Sequence, residues 1–226
     1  YIAWSKRRLL HYFYDSEVKA YFFILLTVFV LTFLTLGIYL EEPGTSLIQE
    51  SAFQVVSIAT TTGFLTANYS NWPLFVPILL LLTAFIGACA GSTGGGIKVV
   101  RTLVLAKQSA GEITKLIHPN AVISIKLGKK AVSPRVAESV WGFFSIYVIV
   151  FILLFLFILA QGNDFITSFS AVGATLNNLG PGLGEVSNNY QSLSDYSKLG
   201  LCMAMLLGRL EIFTLLVLFT PAFWRK

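Results

Sequence analysis

Charge is what this sequence has least of. Asp, Glu, Lys and Arg supply 12% of its 226 residues while 55% are hydrophobic, and soluble domains carry roughly 25% charged residues. With a mean hydropathy of +0.74, that scarcity excludes an ordinary soluble domain and points to an integral protein of the lipid bilayer. Cysteine is nearly missing as well. Cys89 and Cys202 both fall in apolar stretches, which excludes a disulfide framework and predicts two buried small hydrophobes. The two histidines, His11 and His118, have no Cys, His, Asp or Glu at ligand spacing, so no metal site is expected. An initiator Met and a signal-peptide pattern are absent from Tyr1-Ile2-Ala3-Trp4, and the chain reads as a fragment that starts within or just after an earlier membrane helix.

Positive charge is missing from two regions in particular. Segments 41–72 and 161–197 hold no Lys or Arg, whereas Lys6, Arg7, Arg8 and Lys19, the segment 97–138, and Arg225-Lys226 are basic. Cytoplasmic loops of membrane proteins carry that excess. Both ends of the chain and the 97–138 segment are therefore expected in the cytoplasm. Topology accounts for the net charge of +5, and no nucleic-acid partner is expected. Trp4, Trp72, Trp141 and Trp224 lie near span ends, where an interfacial belt places tryptophan.

What is there is a repeated order of elements. Ala20 to Leu40 and Ser139 to Ala160 are uninterrupted apolar stretches, each long enough to cross a bilayer. An outer turn follows each one, Glu41-Glu42-Pro43-Gly44 or Gln161-Gly162-Asn163-Asp164. Next come shorter amphipathic pieces, Thr45 to Thr60 and Phe165 to Leu176. As helices these reach about 24 and 18 Å, short of a crossing, so each must enter from outside and turn back. Each ends in a polar, glycine-containing strip, Thr60-Thr61-Thr62-Gly63-Phe64 and Asn177-Asn178-Leu179-Gly180-Pro181-Gly182. Return spans begin at Pro73 and Ser197. Phe53 to Gly63 parallels Phe169 to Gly180 with one residue added, and Gly87 parallels Gly208. The resulting divisions are a cytoplasmic linker at 1–19, a first unit at 20–106, a cytoplasmic linker at 107–138, and a second unit at 139–226.

The first return stretch, Pro73 to Ala106, is too long for one crossing. As a single helix it would span about 50 Å against a hydrocarbon core of about 30 Å. Its middle, Ala90-Gly91-Ser92-Thr93-Gly94-Gly95-Gly96, should unwind, because glycine gives up the most backbone entropy in a helix. Unwound backbone at membrane depth is tolerated only where it is buried in protein or lines water. A broken helix beside two re-entrant strips suggests a conduction path.

This unit suits a monovalent cation. A short helix entering from outside aims the negative end of its dipole at the membrane interior, and an extended strip can present backbone carbonyls in place of ion hydration. Glycine supplies dihedrals forbidden to other residues. Thr60, Thr61, Thr62, Asn177 and Asn178 can brace the strip or add oxygens. No carboxylate lies in either strip, which argues against a divalent-selective site. The bland alternative for each strip is a polar turn between packed helices.

Ala90 to Val99, Leu176 to Gly184 and the ending Leu206-Leu207-Gly208-Arg209-Leu210-Glu211-Ile212-Phe213-Thr214 resemble signatures of the bacterial TrkH/TrkG potassium-uptake family. The resemblance covers essentially the whole chain. It implies an all-α membrane fold of the potassium-channel-like superfamily, with four span–pore–span repeats around one pore, of which this chain matches the third and fourth. The implied setting is the bacterial inner membrane. The implied partners are the first two repeats of the same protein, a second copy in a homodimer, and a TrkA-like cytosolic nucleotide-binding regulator. Potassium would be the transported ion, with no cofactor in this chain. Carried over residue by residue, Thr61, Thr62, Gly63 and Phe64 would form one filter strip and Asn178, Leu179, Gly180 and Pro181 the other. Gly91, Ser92, Thr93, Gly94, Gly95 and Gly96 would form an intramembrane gate loop beneath them, and Arg209 would point into the pore.

Rival readings remain for several of these features. A sodium- or proton-coupled symporter would need an intramembrane carboxylate, and Glu211 is the only candidate, although a structural contact suits it better. Two positions along a helix turn about 200°, so Glu211 cannot face Arg209, whose other reading is an ion pair with a neighbouring helix. The glycine loop is not a phosphate-binding loop, because Ile97 intervenes between Gly96 and Lys98 where G-x-x-x-x-G-K-[ST] is needed. An enzyme would need a nucleophile or base beside that loop, and a non-conducting scaffold would be indifferent to Gly63 and Gly180. Ala121 to Val132 predicts a β-hairpin with its turn near Gly128-Lys129, either docking a regulatory subunit or simply solvated.

Overall fold

A computed structural model describes residues 15–39, 44–121, 123–128, 130–210, 212–218 and 220–224. Helix α1 (Ser16–Tyr39) is followed by α2 (Gly44–Ala59), a 3-10 turn (Tyr69–Asn71), α3 (Phe75–Ile86) and α4 (Val99–Ile117). A hairpin of β1 (Lys126–Leu127) and β2 (Lys130–Ala131) leads to α5 (Pro134–Ala160) and α6 (Phe165–Leu176). A second 3-10 turn (Gly184–Val186) precedes α7 (Asp195–Arg209), α8 (Ile212–Leu218) and α9 (Pro221–Trp224). The fold is all-helical apart from that hairpin, as the sequence predicts.

Among the described residues, α1 and α5 are long and apolar enough to cross a membrane. Proline at the first turn of α5, with Ser133 as its N-cap, starts that helix where the missing N–H costs nothing. Their outer faces stay uncovered, with Phe23 70% and Leu153 62% exposed, as lipid-facing surfaces require. The short helices are the buried ones. From Thr167 to Leu176 only Phe169 of α6 is not buried, and α2 and α6 stop short of a crossing as expected.

One core joins the two units and another lies within the second. In the first, Leu36, Val55, Ile58, Val76, Leu80 and Ala84 pack with Ala174, Leu179 and Leu183 from the second half. In the other, Ile158, Ala171, Val172, Val186 and Leu201 cluster. Phe85 joins the halves, meeting Tyr147, Phe151 and Phe169 at ring-centroid distances of 6.3, 5.4 and 6.2 Å. Aromatic pairs at such spacings add modest stabilisation beyond area burial.

Several expectations are revised. The α4 helix runs on to Ile117, so the linker drawn at 107–138 is helical over its first eleven positions. The hairpin forms, with Lys126 opposite Ala131 and Leu127 opposite Lys130, but each strand has only two residues. The last return span does not continue past Arg209. Leu210 is its C-cap, and helix resumes at Ile212. Gly208 there abuts the Leu176 carbonyl so closely that a Cβ would strike it, and glycine holds a helix poorly. Cys89 is half-buried and Cys202 exposed, against the expected burial of both. The Glu41 to Pro43 turn, His11, Trp4 and Glu211 lie outside the described residues.

Candidate functional site

The two strips are built by the same backbone hydrogen bonds. In the first, Thr60 N–H bonds Val56 O at 3.0 Å and Thr61 N–H bonds Ile58 O at 3.0 Å, while Thr62 and Gly63 both donate to Ser57 O, at 2.8 and 3.4 Å. In the second, Asn177 bonds Gly173 O at 3.2 Å and Asn178 bonds Thr175 O at 3.0 Å, while Leu179 and Gly180 share Ala174 O at 2.8 and 3.5 Å. The match runs at one constant offset, Thr61 on Asn178 and Gly63 on Gly180. No residue is added within it, so the expected pairing of Phe53 with Phe169 is not kept. The parallel of Gly87 with Gly208 also fails in conformation. Gly87 ends α3 at φ +71°, whereas Gly208 lies within α7.

Those bonds spend the strip's N–H groups on the exposed carbonyls at the helix C-terminus, which would otherwise lack partners. The chain then passes through left-handed backbone at every second position: Thr61 at φ +55° and Gly63 at +80°, Asn178 at +53° and Gly180 at +104°. Asparagine enters this region more easily than most residues and glycine without penalty. Thr61 enters it against its preference.

The strips also touch each other. A Cβ on Gly63 would collide with the Leu179 carbonyl and lie 3.3 Å from Pro181 Cδ. Two tyrosines brace the second strip from behind. Tyr69 donates to the carbonyls of Gly182 at 2.8 Å and Pro181 at 3.3 Å, and Tyr190 donates to Gly180 O at 2.6 Å. A carbonyl has two lone pairs, so such a brace leaves one acceptor direction open. On the first strip, Ser57 Oγ holds Phe64 O at 2.6 Å. At the base of the second, Asn177 is fully buried, accepting from Tyr147 OH at 2.6 Å and donating to Gly173 O at 2.8 Å.

Beneath both strips lies the unwound segment between α3 and α4. Gly95 donates its N–H to Thr61 Oγ1 at 3.0 Å, and its α-carbon sits so close to Asn177 that a Cβ would overlap that carbonyl. Ile97 N–H returns to Phe85 O at 2.9 Å and Val99 N–H to Ala88 O at 3.2 Å, so the segment closes on itself. Gly87 and Gly96 make that closure possible, because each lies against the other's backbone and both have positive φ.

Charged groups grip the same segment. Arg209, at the end of α7, donates Nη1 to Thr93 O at 2.6 Å. Its described partner is thus a loop carbonyl rather than the carboxylate of a neighbouring helix. Lys98 bonds the carbonyls of Ser92 at 2.8 Å and Gly94 at 2.5 Å. Glu17, at the start of α1, accepts the N–H of Ala90 at 2.5 Å. A cavity of about 260 Å³ lies between the loop and α7, bordered by Lys98, Arg101, Tyr147 and Arg209.

The structure therefore brings Thr61, Gly63, Leu179, Pro181, Gly94, Gly95 and Arg209 into one connected site. Gly91 stands apart from it, with open space around its α-carbon. Sequence reasoning missed Tyr69, Tyr190, Tyr147, Lys98 and Glu17. A signal existed for the tyrosines, since a buried hydroxyl needs an acceptor; Tyr69 and Tyr190 find theirs in strip carbonyls and Tyr147 in the Asn177 side chain. Among the described residues, no group of three Cys, His, Asp or Glu could hold a metal.

Residues 6–226 match the family model of TrkH, described as a cation transport protein. The chain is 50% identical over 226 residues to the Trk system potassium uptake protein TrkH of Halomonas elongata, covering 100% of this chain and 47% of that protein. It is 40% identical to the Trk system potassium uptake protein TrkG of Escherichia coli K12, over 100% of this chain and 47% of that one. The crystal structure of the potassium transporter TrkH from Vibrio parahaemolyticus superimposes with a TM-score of 0.90 at 49% identity, covering 96% of this chain and 47% of that chain. The chain thus spans about half the length of the relatives it matches.

Proposed function

Because this chain belongs to the TrkH family of cation transport proteins, a family of membrane transporters rather than enzymes, we propose that it supplies two quarters of a potassium-selective pore. The observation that carries this reading is the duplicated strip, with left-handed backbone at Thr61 and Gly63 and again at Asn178 and Gly180. With N–H groups turned to the helix ends, even the braced strip carbonyls keep an acceptor direction with which to replace water around a dehydrated cation. Thr61 to Phe64 and Asn178 to Pro181 are the filter segments. The other two quarters come from two further repeats of the same protein, and potassium is the transported ion.

In this reading Gly91 to Gly96 is the gate. It lies under both strips and is pinned by Arg209, whose charge also raises the barrier to a cation below the filter. A loop of such small side chains moves aside at little steric cost. The chain lies in the bacterial inner membrane with its basic segments and both ends in the cytoplasm. It pairs with a second copy, and a TrkA-like nucleotide-binding ring acts on the gate from the cytoplasmic side.

Potassium and rubidium uptake by the complete transporter in uptake-deficient cells tests this, with Gly63→Ser and Gly180→Ser beside wild type. Loss of flux or of potassium preference at unchanged expression is the expected result. Survival of both properties in both variants would refute the pore.

A further inference from the structure

The glycine loop is held in two different ways along its length. Its second half is packed: Gly95 and Ile97 are buried, and Gly94 and Gly95 lie against Thr60, Thr61 and Asn177. Its first half is not. Ala90, Gly91, Ser92 and Thr93 are all exposed, and nothing lies within 4 Å of the place where a Cβ of Gly91 would be. Packing cannot fix that half, so hydrogen bonds must.

Ser92 turns back on Cys89 O through its N–H and Oγ, at 3.2 and 2.7 Å, and three charged side chains tie this half to the rest of the molecule. Lys98, the N-cap of α4, ties Ser92 and Gly94 back to the packed end of the same loop. Arg209 ties Thr93 to α7. Glu17 ties Ala90, and it stands in the first turn of α1, a different helix at the cytoplasmic end of a full membrane span. Asp15 fixes the Glu17 backbone, accepting its N–H at 2.8 Å. A carboxylate accepting a backbone N–H is a charge-assisted bond, about twice as strong as a neutral one.

We propose that Glu17 is a positioning residue of the gate: it latches the exposed shoulder of the glycine loop to the cytoplasmic end of α1. This rests on the loop being the gate. The consequence is mechanical. The loop spans from α1 through Ala90 to α7 through Thr93, so a shift of the α1 cytoplasmic end draws directly on the loop. A regulator that touches only the cytoplasmic face thereby gains a short route to the gate, without contacting the pore.

The test uses the complete transporter in proteoliposomes without its regulatory partner, comparing wild type, Glu17→Ala, Glu17→Gln and Gly63→Ser. Cys89, half-buried at the loop's entrance, serves as reporter in a background where it is the sole thiol. Glu17→Ala should raise partner-free potassium flux and the rate of Cys89 modification by a soluble thiol reagent, each by about tenfold, the equivalent of one lost charged hydrogen bond. Potassium-over-sodium preference should stay as in wild type, because the strips are untouched. Glu17→Gln removes the same charge but keeps an acceptor oxygen, so it should fall between wild type and Glu17→Ala in flux and below Glu17→Ala in Cys89 modification, which a general packing defect at α1 would not reproduce. If Glu17→Ala leaves flux and Cys89 reactivity within twofold of wild type, or lowers flux, the latch is wrong. If Gly63→Ser leaves flux and preference unchanged, the pore reading fails instead, so the two failures are separate.

Discussion

The strips at Thr61 to Phe64 and Asn178 to Pro181 share a backbone and differ in what surrounds it. Both are set by one helix-end carbonyl that receives two successive N–H groups, Ser57 O in the first and Ala174 O in the second. Both place a glycine at the second left-handed position. Yet Gly63 is wedged against the Leu179 carbonyl and Pro181, while nothing lies within 4 Å of the place a Cβ of Gly180 would take. Gly63 is required for both conformation and space, Gly180 for conformation alone. A duplicated backbone therefore does not imply duplicated constraint; the hydrogen bonds repeat, and the packing does not.

That difference is tested most sharply with the smallest side chain. Gly63→Ala adds left-handed strain of about 1–2 kcal/mol to an overlap with backbone, and overpacking costs typically about 1–3 kcal/mol more. The expected outcome is near-complete loss of selective uptake and a clearly lowered melting temperature in detergent. Gly180→Ala carries only the strain, and should keep a measurable part of uptake with a smaller drop in stability. Equal damage at both positions would show that the open space beside Gly180 is filled in the assembled pore.

The same contrast recurs within the loop, one step smaller. Gly95 meets the Asn177 carbonyl and Gly91 meets nothing. Gly95→Ala must push the loop off the second strip, so partner-free potassium flux should rise several-fold. Gly91→Ala, at φ +78°, bears strain of about 1–2 kcal/mol but displaces no neighbour, and under the proposed gating should change resting flux little. Flux assays in proteoliposomes separate the two. A leak from Gly91→Ala equal to that from Gly95→Ala would remove the contact with Asn177 as the seat of closure.

Much of this was legible in residues alone, and the reason is periodicity and punctuation. The extents of α1, α2 and α6 follow from apolar runs closed by turn residues. The unwinding at Ala90 to Gly96 follows from glycines that no helix would keep, although α3 already ends at Ile86. What escaped was tertiary. Near the end of α7, Gly208 abuts Leu176, a contact between segments far apart in sequence. The register of the repeats followed hydrogen bonds to Ser57 and Ala174 rather than the phenylalanines that look alike on paper. Tyr69 and Tyr190 read as ordinary aromatics until strip carbonyls stand opposite their hydroxyls. Glu17 carried no motif at all, because its partner is the backbone of Ala90, and backbone leaves no mark in a sequence.

The bases of the strips give a third comparison. Thr60 bonds within its own half, to Val56 O at 2.7 Å and Thr62 Oγ1 at 2.8 Å. Asn177, at the matching position, reaches Tyr147 on α5. Tyr147→Phe would leave a fully buried amide oxygen without its donor, a loss of about 1–3 kcal/mol. Thr60→Val removes a partly exposed hydroxyl and should cost less, about 0.5–1.5 kcal/mol. Thermal unfolding of the two variants side by side measures the difference, and a Thr60 effect as large as the Tyr147 effect would contradict it.

The smallest expected effect lies at the outer end of the second unit, where pH can be used as the probe. Asp164 caps α6, its carboxylate accepting the Thr167 N–H at 3.0 Å. Slight burial pushes its carboxyl up, but hydrogen bonds from the Thr167 side chain and from the backbone of Thr167 and Ile166 outweigh that and hold it below the usual carboxylate value. A group whose folded value is depressed stabilises the fold above its unfolded value, near pH 3.9 for aspartate, and loses that contribution as pH falls through the folded value. Asp164→Ala should therefore lower stability by about 0.5–1 kcal/mol near neutral pH, the low end for a lost cap at an exposed position. The gap between wild type and variant should then narrow as pH drops below about 4. Melting temperatures at several pH values decide it. A gap that stays constant down to pH 3 would mean that Asp164 acts through the shape of the turn, since a cap working through its charge must fade when the charge is removed.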